Sequence, residues 1–187
     1  PSIEDIDATP TGYLTTVLDN QGNQTATLVA SGSNRKYVTI DEIPINLQHA
    51  FVAIEDERFY DHNGIDLQGI LRAGLKGVAS GFHFSEGAST ITQQLLKNTV
   101  FTQWTSEQSM ADKFERKFQE QYLALQLEKV VDKDWILENY LNAINLGQNT
   151  LGVGVASERY FGKDVSELTL SECAVLAAIT QSPSYYN

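Results

Sequence analysis

Cysteine and basic residues are scarce in this chain of 187 residues. The single cysteine, Cys173, excludes an internal disulfide and a cysteine-based metal site. The 13 Lys and Arg residues are outnumbered by 24 Asp and Glu residues, which gives a net charge of -11. Both nonspecific nucleic-acid binding and polybasic attraction to anionic lipid require positive charge. The composition therefore predicts no nucleic-acid partner and no electrostatic attachment to a membrane.

Long apolar runs are also missing. No stretch approaches the ~18 residues that a membrane-spanning helix needs, although 42% of the chain is hydrophobic, as in ordinary globular proteins. A membrane contact would then use scattered apolar side chains, and a place in the buried core is the alternative for most of them. The candidates are Phe82, Phe84, Leu96, Val100, Phe101 and Trp104.

Hydrophobic periodicity divides the chain into two parts. Alternating Thr, Val and Leu residues at 13–19 and 24–30 flank a polar turn and predict a β-hairpin. Further on, apolar residues recur at three-and-four spacing and predict helices at about 46–57, 66–80, 89–98, 110–130, 133–144, 150–161 and 171–180. We therefore expect a β-hairpin extension at 1–45 and a mainly α domain at 46–187.

Charged and aromatic residues are concentrated at 55–64, directly after the first predicted helix. The apolar stripe of that helix, which includes Leu47, Phe51 and Ile54, places Glu55 at the edge of a core. A carboxyl group partly withdrawn from water takes up a proton more readily, as a general acid or base must. The pattern indicates a catalytic carboxylate, and the alternative is a solvated helix end whose charges pair weakly at the surface.

The segment 87–98 begins with Gly, Ala, Ser and Thr residues before an apolar-periodic run. This composition is typical of a helix start, where free backbone N–H groups and the positive end of the helix dipole favour an anion. Gln93, Gln94 and Lys97 add amide donors and a positive charge on the next turn. The segment therefore indicates a phosphate site, and an ordinary capped helix is the alternative.

The predicted helix at 110–130 carries a third group of charges. Lys113, Lys117 and Glu120 share one face because they are spaced by four and three residues. Arg116 and Glu120 form an i,i+4 pair, and a plain surface ion pair of this kind would contribute only a few tenths of a kcal/mol.

Taken in order, these segments resemble the peptidoglycan glycosyltransferase (transglycosylase) domain of class A penicillin-binding proteins and their monofunctional relatives, glycosyltransferase family 51. Five family motifs lie between residues 50 and 187, and together they are far more specific than any one of them. The matching residues are Glu55, Asp56, Phe59, His62 and Gly64; Gly87, Ser89, Thr90, Ile91, Gln93, Gln94, Lys97 and Asn98; Arg116, Lys117 and Glu120; Ile136, Leu137, Tyr140, Leu141, Asn142, Gly147, Gly152, Ala156 and Tyr160 to Lys163; and Leu170, Ser171, Glu172, Ala174, Leu176 to Ala178, Gln181 and Pro183.

The resemblance implies a lysozyme-like helical fold and a defined reaction. The carboxylate at Glu55 takes a proton from the 4-hydroxyl of the acceptor lipid II, which attacks the anomeric carbon of the lipid-linked glycan chain. Undecaprenyl pyrophosphate leaves, and a β-1,4 linkage forms with inversion. The resemblance leaves two roles open for Glu120: it supports the leaving pyrophosphate through hydrogen bonds, or it helps to hold a divalent ion, Mg²⁺ or Mn²⁺. No cofactor is obligatory.

The resemblance also implies which residues bind the substrate. Cations and amide donors assist the departure of pyrophosphate, because they compensate the developing negative charge. The implied substrate-binding residues are Asp56, Phe59, His62, Ser89, Thr90, Gln93, Gln94, Lys97, Asn98, Lys113, Arg116 and Lys117. His62 is expected to orient the segment that carries Glu55 by hydrogen bonding.

One segment departs from the family pattern. Relatives often carry an Arg in the loop after the Lys-Asn pair, whereas residues 99–109 contain no basic residue. Either Lys113 and Arg116 hold the diphosphate from the following helix, or donor affinity is lower. We expect Lys113→Ala to weaken donor binding and leave the fold intact.

In the family, a transmembrane helix precedes this domain, and a transpeptidase follows it in bifunctional members. The resemblance therefore implies an excised domain that acts at the extracytoplasmic face of the bacterial plasma membrane and binds moenomycin-type phosphoglycolipids. Two other functions stay open: a lysozyme-like hydrolase that uses Glu55 as a general acid, and a catalytically silent domain that binds lipid II.

Overall fold

The computed structural model describes residues 7–13, 15–28, 35–79, 88–101, 110–148 and 150–181. Its elements in chain order are strands β1 (Thr15–Leu18) and β2 (Gln24–Leu28), helices α1 (Ile45–Glu55), α2 (Leu67–Ala79), α3 (Ile91–Thr99), α4 (Met110–Leu127), α5 (Lys133–Ala143) and α6 (Val153–Phe161), a 3-10 helix (Val165–Glu167), and α7 (Leu170–Ile179). The protein is mainly α with a lysozyme-like helical domain, which confirms the predicted fold class.

The two strands form an antiparallel hairpin in which Thr15 pairs with Leu28 and Thr16 with Thr27. The side chain of Asp19 closes the turn by accepting from the backbone N–H groups of Gln21 and Asn23. This short sheet is the predicted hairpin, and residues 14, 29 and 30 of the predicted strands 13–19 and 24–30 lie outside the described residues.

Helices α3, α5 and α7 begin where a polar side chain accepts from one of the first free backbone N–H groups. Thr90 caps α3 by accepting from Gln93, and Asp132 caps α5 by accepting from Trp135. The seven predicted helices are all present, with small differences at their ends. Helix α6 begins later than predicted because Gly152 has a φ of 83° and a β-bridge joins Asn145 to Leu151 just before it.

The core lies where α1 packs on α7 and α3 packs on α4 and α5. Phe51, Phe59 and Tyr140 are its largest aromatic members, and all three are fully buried. Phe51 and Tyr140 meet edge to face with ring centroids 6.2 Å apart, which links α1 to α5. This packing fixes the carboxyl end of α1 and thereby the position of Glu55.

Residues 36–44 connect the hairpin to the helical domain and lie against it. Val38 and Ile43 are buried in the common core. The side chain of Asn142 in α5 accepts from the backbone N–H of Val38 at 3.0 Å and donates to its carbonyl at 2.8 Å. The division of the chain at residue 45 stays a prediction.

The predicted membrane-contact residues fall into two groups. Phe82, Phe84 and Trp104 lie outside the described residues. Leu96 is fully buried, and Val100 and Phe101 are half-buried against the core, so the prediction was wrong for Leu96. None of the described helices is both long enough and apolar enough to span a membrane.

Candidate active site

A cavity of about 550 Å³ opens where the end of α1 meets α2, the start of α3 and the middle of α4. Ten of the residues predicted to form the site line it together. They are Glu55, Asp56, Ser89, Thr90, Gln94, Lys97, Asn98, Arg116, Lys117 and Glu120. The three charged and polar segments that are separated in the sequence therefore face one space.

Glu55 is the last residue of α1, and its carboxylate accepts hydrogen bonds from neutral groups. Its Oε2 accepts from the side-chain amide of Gln94 at 2.9 Å. Its Oε1 accepts from the Thr180 hydroxyl and, at 3.3 Å, from the Gln181 amide. These donors orient the half-buried carboxylate toward the cavity without placing a cation against it.

Asp56 follows Glu55 in the chain, is buried and anchors the segment that follows α1. Its carboxylate accepts from the backbone N–H of Ile91, the first residue of α3, at 3.0 Å. It also accepts from His62 Nε2 at 2.9 Å, because His62 Nδ1 accepts from the Gly64 N–H and the ring proton is therefore on Nε2. The predicted orienting role of His62 agrees with this geometry.

Gly64 holds the same segment against α3 and α4. Its carbonyl accepts from the Thr90 hydroxyl at 2.7 Å and from the Gln93 amide at 3.3 Å. Its φ is +88°, and a Cβ atom there would lie 2.6 Å from the backbone oxygen of Ala124 in α4. Only glycine combines this backbone conformation with this close approach.

Lys133, at the start of α5, contacts the segment that follows α1. Its ammonium donates to the His62 carbonyl at 2.7 Å and to the Glu128 carboxylate at 2.6 Å, and it lies 4.5 Å from the centre of the Phe59 ring. Glu128 also accepts from the Thr92 hydroxyl at 2.5 Å. Phe59 and His62 both contact Lys133 of α5 and lie outside the cavity lining.

Glu120 faces the cavity from α4 and is only 1% exposed. Its two oxygens accept from two cations, Arg116 at 2.9 Å and Lys117 at 2.6 Å. The Lys117 ammonium also donates to Ser89 Oγ at 2.8 Å and to Gln93 Oε1 at 3.0 Å. This cluster couples α4 to the start of α3 and concentrates positive charge beside the cavity.

The remaining predicted residues differ in their access to the cavity. Lys97 and Asn98 line it from α3. Gln93 is fully buried beneath it, and Lys113 is exposed on α4 one turn before Lys117 without lining it. The substrate-binding assignments of these residues, like the other assigned roles, stay predictions.

Several residues that line or border the site were not among those predicted, and four of them either contact Glu55 or form an ion pair with each other. Thr180 and Gln181 reach Glu55 from the end of α7. Glu57 and Arg72 line the cavity as an ion pair 2.5 Å long between the segment after α1 and helix α2. Gln181 belongs to a family motif, which was the available signal for that residue, whereas the other three have no local pattern.

Among the titratable groups near the cavity, Tyr140 and Asp66 have shifted pKa values. Burial raises the pKa of Tyr140 well above its ordinary value, and the negative charges of Glu55 and Asp56 raise it further, so its phenol stays neutral. Burial disfavours the charge of Asp66, but the hydrogen bonds from Arg58 and the Gly69 N–H outweigh it and lower the Asp66 pKa.

A divalent ion near Glu55 and Glu120, which the resemblance left open beside a hydrogen-bonding role, does not fit this arrangement. Both oxygens of Glu120 are taken by Arg116 and Lys117, and both oxygens of Glu55 accept from neutral donors. Across the described ranges, no group of three or more His, Cys, Asp and Glu side chains is placed to share a metal ion.

Comparison with known proteins identifies the family of this chain. The chain is 48% identical to penicillin-binding protein 1A of Clostridium perfringens (strain 13 / Type A) over 172 residues, which cover 90% of this chain and 24% of that protein. It is 47% identical to penicillin-binding protein 1A of Clostridium novyi (strain NT) over 173 residues, 91% of this chain and 20% of that protein. The protein of the same name from Escherichia coli (strain K12) is 47% identical over 150 residues, 80% of this chain and 17% of that protein.

The chain therefore spans less than a quarter of the length of each of these relatives. The family model described as "Transglycosylase" matches residues 21–187, which include every residue of the cavity lining. This match and the level of identity confirm the resemblance found in the sequence motifs. The chain belongs to the transglycosylase family.

Proposed function

We propose that this chain is a peptidoglycan glycosyltransferase that polymerises lipid II into β-1,4-linked glycan strands. The observation that carries the proposal is a single cavity with two carboxylates in different surroundings. At one side the Glu55 carboxylate accepts from neutral donors, and at the other the buried Glu120 carboxylate accepts from two cations. The first arrangement suits a general base, and the second suits the binding of a pyrophosphate.

Glu55 acts as the base in this proposal. An alcohol is a poor nucleophile near neutral pH, so the acceptor 4-hydroxyl must lose its proton as it attacks. The proton passes to the Glu55 carboxylate, the new C–O bond forms at the anomeric carbon, and the bond to the pyrophosphate oxygen breaks. A single displacement of this kind inverts the anomeric configuration and needs no covalent enzyme intermediate.

The opposite side of the cavity stabilises the leaving pyrophosphate. Arg116 and Lys117 are held in place by Glu120, and Lys97 and Asn98 contribute from α3. Fixed cations and donors are effective here because they need little reorganisation when charge develops on the leaving group. We assign Glu120 the role of positioning these cations, and we expect polymerisation to continue when divalent ions are removed with EDTA.

Lipid-linked substrates imply that the cavity works beside a membrane, at the extracytoplasmic face. Two exposed apolar rows among the described helices suit such a contact. In α2, Leu67, Leu71 and Leu75 recur every four residues and are 64–73% exposed; in α4, Phe114 and Phe118 are 61% and 70% exposed. We propose that these rows rest in the membrane surface and that a moenomycin-type phosphoglycolipid competes with the donor in the cavity.

The decisive experiment measures glycan strands formed from purified lipid II by the protein and by Glu55→Gln, which keeps the shape of the side chain and removes the base. Glu158→Gln is the matched control, because it makes the same change at an exposed carboxylate that pairs with Lys36 outside the cavity. We expect polymer from the protein and the control, and essentially none from Glu55→Gln.

Other results would point to the alternative functions. Equal polymer from Glu55→Gln would remove Glu55 from the role of base. Shortening of finished glycan by the protein, lost in Glu55→Gln, would indicate a hydrolase. Binding of lipid II without polymer or cleavage would indicate a silent domain. Whether a transpeptidase accompanies this domain is a separate proposal that penicillin labelling of the full-length protein tests.

A further inference from the structure

The donors to the Glu55 carboxylate are of two chemical kinds. Gln94 and Gln181 present amide N–H groups, which can donate but cannot accept. Thr180 presents a hydroxyl, which has one proton that rotates about the C–O bond and can also accept a hydrogen bond. The hydroxyl is therefore the donor that can respond when Glu55 changes its charge.

The Thr180 hydroxyl lies within hydrogen-bond distance of two acceptors. One is Glu55 Oε1, and the other is the backbone carbonyl oxygen of Ala177, 2.8 Å away in the last turn of α7. A single proton cannot serve both oxygens at full strength, so the two bonds are alternatives. The position of the hydroxyl is well defined because Ala177 is fully buried and α7 packs on α1, the helix that ends at Glu55.

The charge of Glu55 decides between the two acceptors. An ionised carboxylate is a much stronger acceptor than a peptide carbonyl, whereas a protonated carboxyl is not. Resting on the proposed function, in which Glu55 gains a proton during each transfer, we propose that Thr180 is a positioning residue for the base. Its hydroxyl donates to Glu55 while the carboxylate is charged and turns to the Ala177 carbonyl once the carboxyl is protonated.

This exchange removes a conflict inherent in holding a base by hydrogen bonds. Fixed donors orient a carboxylate but oppose its protonation, since they are left facing a neutral group. A hydroxyl with a second acceptor orients the charged form and keeps its own hydrogen bond afterwards. Thr180 therefore aligns Glu55 at a smaller cost to proton uptake than a third amide would impose.

Two pairs of variants, each differing mainly by the hydroxyl, test the proposal. Thr180→Val is compared with the unaltered protein, and Thr180→Ala with Thr180→Ser. Lipid II polymerisation is measured for kcat, KM and pH dependence, and melting temperatures are required to agree within ~4 °C. The Ser and Ala variants decide the question if Val disturbs the packing.

Misalignment of a catalytic base corresponds to a loss of rate on the order of tenfold or more. We expect this loss in kcat for Val and for Ala, with KM changed less than about twofold and Ser within about threefold of the unaltered protein. The acidic limb of the pH profile should move to higher pH in Val and Ala, because the charged form of the base has lost a donor.

The groups that face Glu55 and stay unchanged in these variants are Gln94 from α3, Gln181 beyond α7, the neutral Tyr140 phenol from α5 and the neighbouring Asp56. An unchanged kcat in Val and Ala, or equal losses in Ser and Ala, would overturn the role of Thr180 while polymer from the unaltered protein upholds the proposed function. Absence of polymer from the unaltered protein would overturn both.

Discussion

Glu55 and Glu120 line the same cavity, but their carboxylates have different partners. Glu55 ends a helix, is half-buried and accepts from two amides and a hydroxyl. Glu120 lies in the middle of a helix, is almost fully buried and accepts from a guanidinium and an ammonium. The two side chains are chemically identical, so any difference in their roles comes from these surroundings.

The difference separates the chemistry of the two residues. Cations occupy both oxygens of the Glu120 carboxylate, which makes Glu120 an anchor for Arg116 and Lys117. Neutral donors orient Glu55, which receives the proton of the acceptor hydroxyl in the proposed function. In that proposal, the two carboxylates divide acid–base work from electrostatic work.

After Glu55→Gln, the largest effect on polymerisation should come from Glu120→Gln, which removes the charge that Arg116 and Lys117 share. We expect polymerisation to fall on the order of a hundredfold, because the cations lose their fixed positions. The free energy of unfolding should fall by about 2 kcal/mol, less than for a fully buried pair because both cations are partly exposed to water. Denaturant unfolding of Glu120→Gln and Glu55→Gln measures this difference.

Glu55→Gln should change the free energy of unfolding by less than about 0.5 kcal/mol, since it removes a charge that has no cationic partner in the described structure. The contrast between the two glutamates would be refuted by equal stability losses in the two variants. A wild-type polymerisation rate in Glu120→Gln would refute the electrostatic role.

The second prediction concerns Gly64, which holds the segment after Glu55 against α3 and α4. Gly64→Ala forces a Cβ into a backbone oxygen and also strains a positive φ. Gly22→Ala is the matched control, because Gly22 has a φ of +85° and nothing within 4 Å of an added Cβ. We expect Gly22→Ala to cost about 1 kcal/mol and Gly64→Ala about 2 kcal/mol more, measured by denaturant unfolding.

Equal costs for the two glycine variants would show that the backbone conformation alone matters and that contact with α4 does not. The expected difference would show that close packing on Ala124 holds the segment in place. In that case Gly64→Ala should also lower polymerisation, since Gly64 accepts from Thr90 and Gln93 in α3.

A smaller effect is expected from the lysines beside the cavity. Lys97→Ala should weaken donor binding about tenfold because Lys97 lines the cavity. Lys113→Ala should weaken it only about two- to threefold, because the charge that is lost is screened by water and salt. Lys129→Ala, an exposed lysine outside the cavity, is the control. Competition with a phosphoglycolipid at low and high salt measures the affinities.

Unchanged affinity in Lys113→Ala would exclude the idea that this lysine replaces the Arg that relatives often carry in the preceding loop. A stronger effect of Lys113 than of Lys97 would mean that the donor extends along α4 beyond the cavity. Melting temperatures of all three lysine variants should be unchanged.

The elements of the fold could be predicted because their signals are local. Thr90 and Asp132 cap helices through hydrogen bonds to residues three positions later, and apolar spacing identifies the helical segments between such caps. Spacing does not say which side of a helix is covered, which is why Leu96 was wrongly assigned to a membrane contact and the exposed rows of α2 and α4 were missed.

Site residues could be predicted where they lie within the ordered motifs, such as Glu55, Gln94 and Glu120. Thr180 could not, since its contact with Glu55 spans 125 positions and depends on how α1 packs against α7. The Glu57–Arg72 pair depends in the same way on the angle between the segment after α1 and helix α2. Long-range contacts of this kind are set by tertiary packing rather than by any local pattern.

The smallest effect is expected at Glu172, which pairs with a lysine as Glu120 does but near the surface. The hydrogen bond from Lys163, followed by those from Thr169, lowers the pKa of Glu172 from an ordinary 4.5 to about 2. Because the folded-state pKa is depressed, this contribution to stability is complete above pH 4.5 and is lost as the pH falls toward 2. Glu172→Gln should therefore flatten the loss of stability in that window.

At neutral pH, Glu172→Gln should cost much less than Glu120→Gln, because water screens this partly exposed pair and the Gln oxygen can still accept from Thr169. Glu167→Gln, on the neighbouring 3-10 helix, is a control for the loss of an exposed carboxylate. Denaturant unfolding between pH 2 and 7 compares the three proteins. If the stability of Glu172→Gln fell as steeply with pH as that of the unaltered protein, the pairing of Glu172 with Lys163 would be refuted. A loss of stability at neutral pH as large as that of Glu120→Gln would show that burial is not what distinguishes the two cation-paired carboxylates.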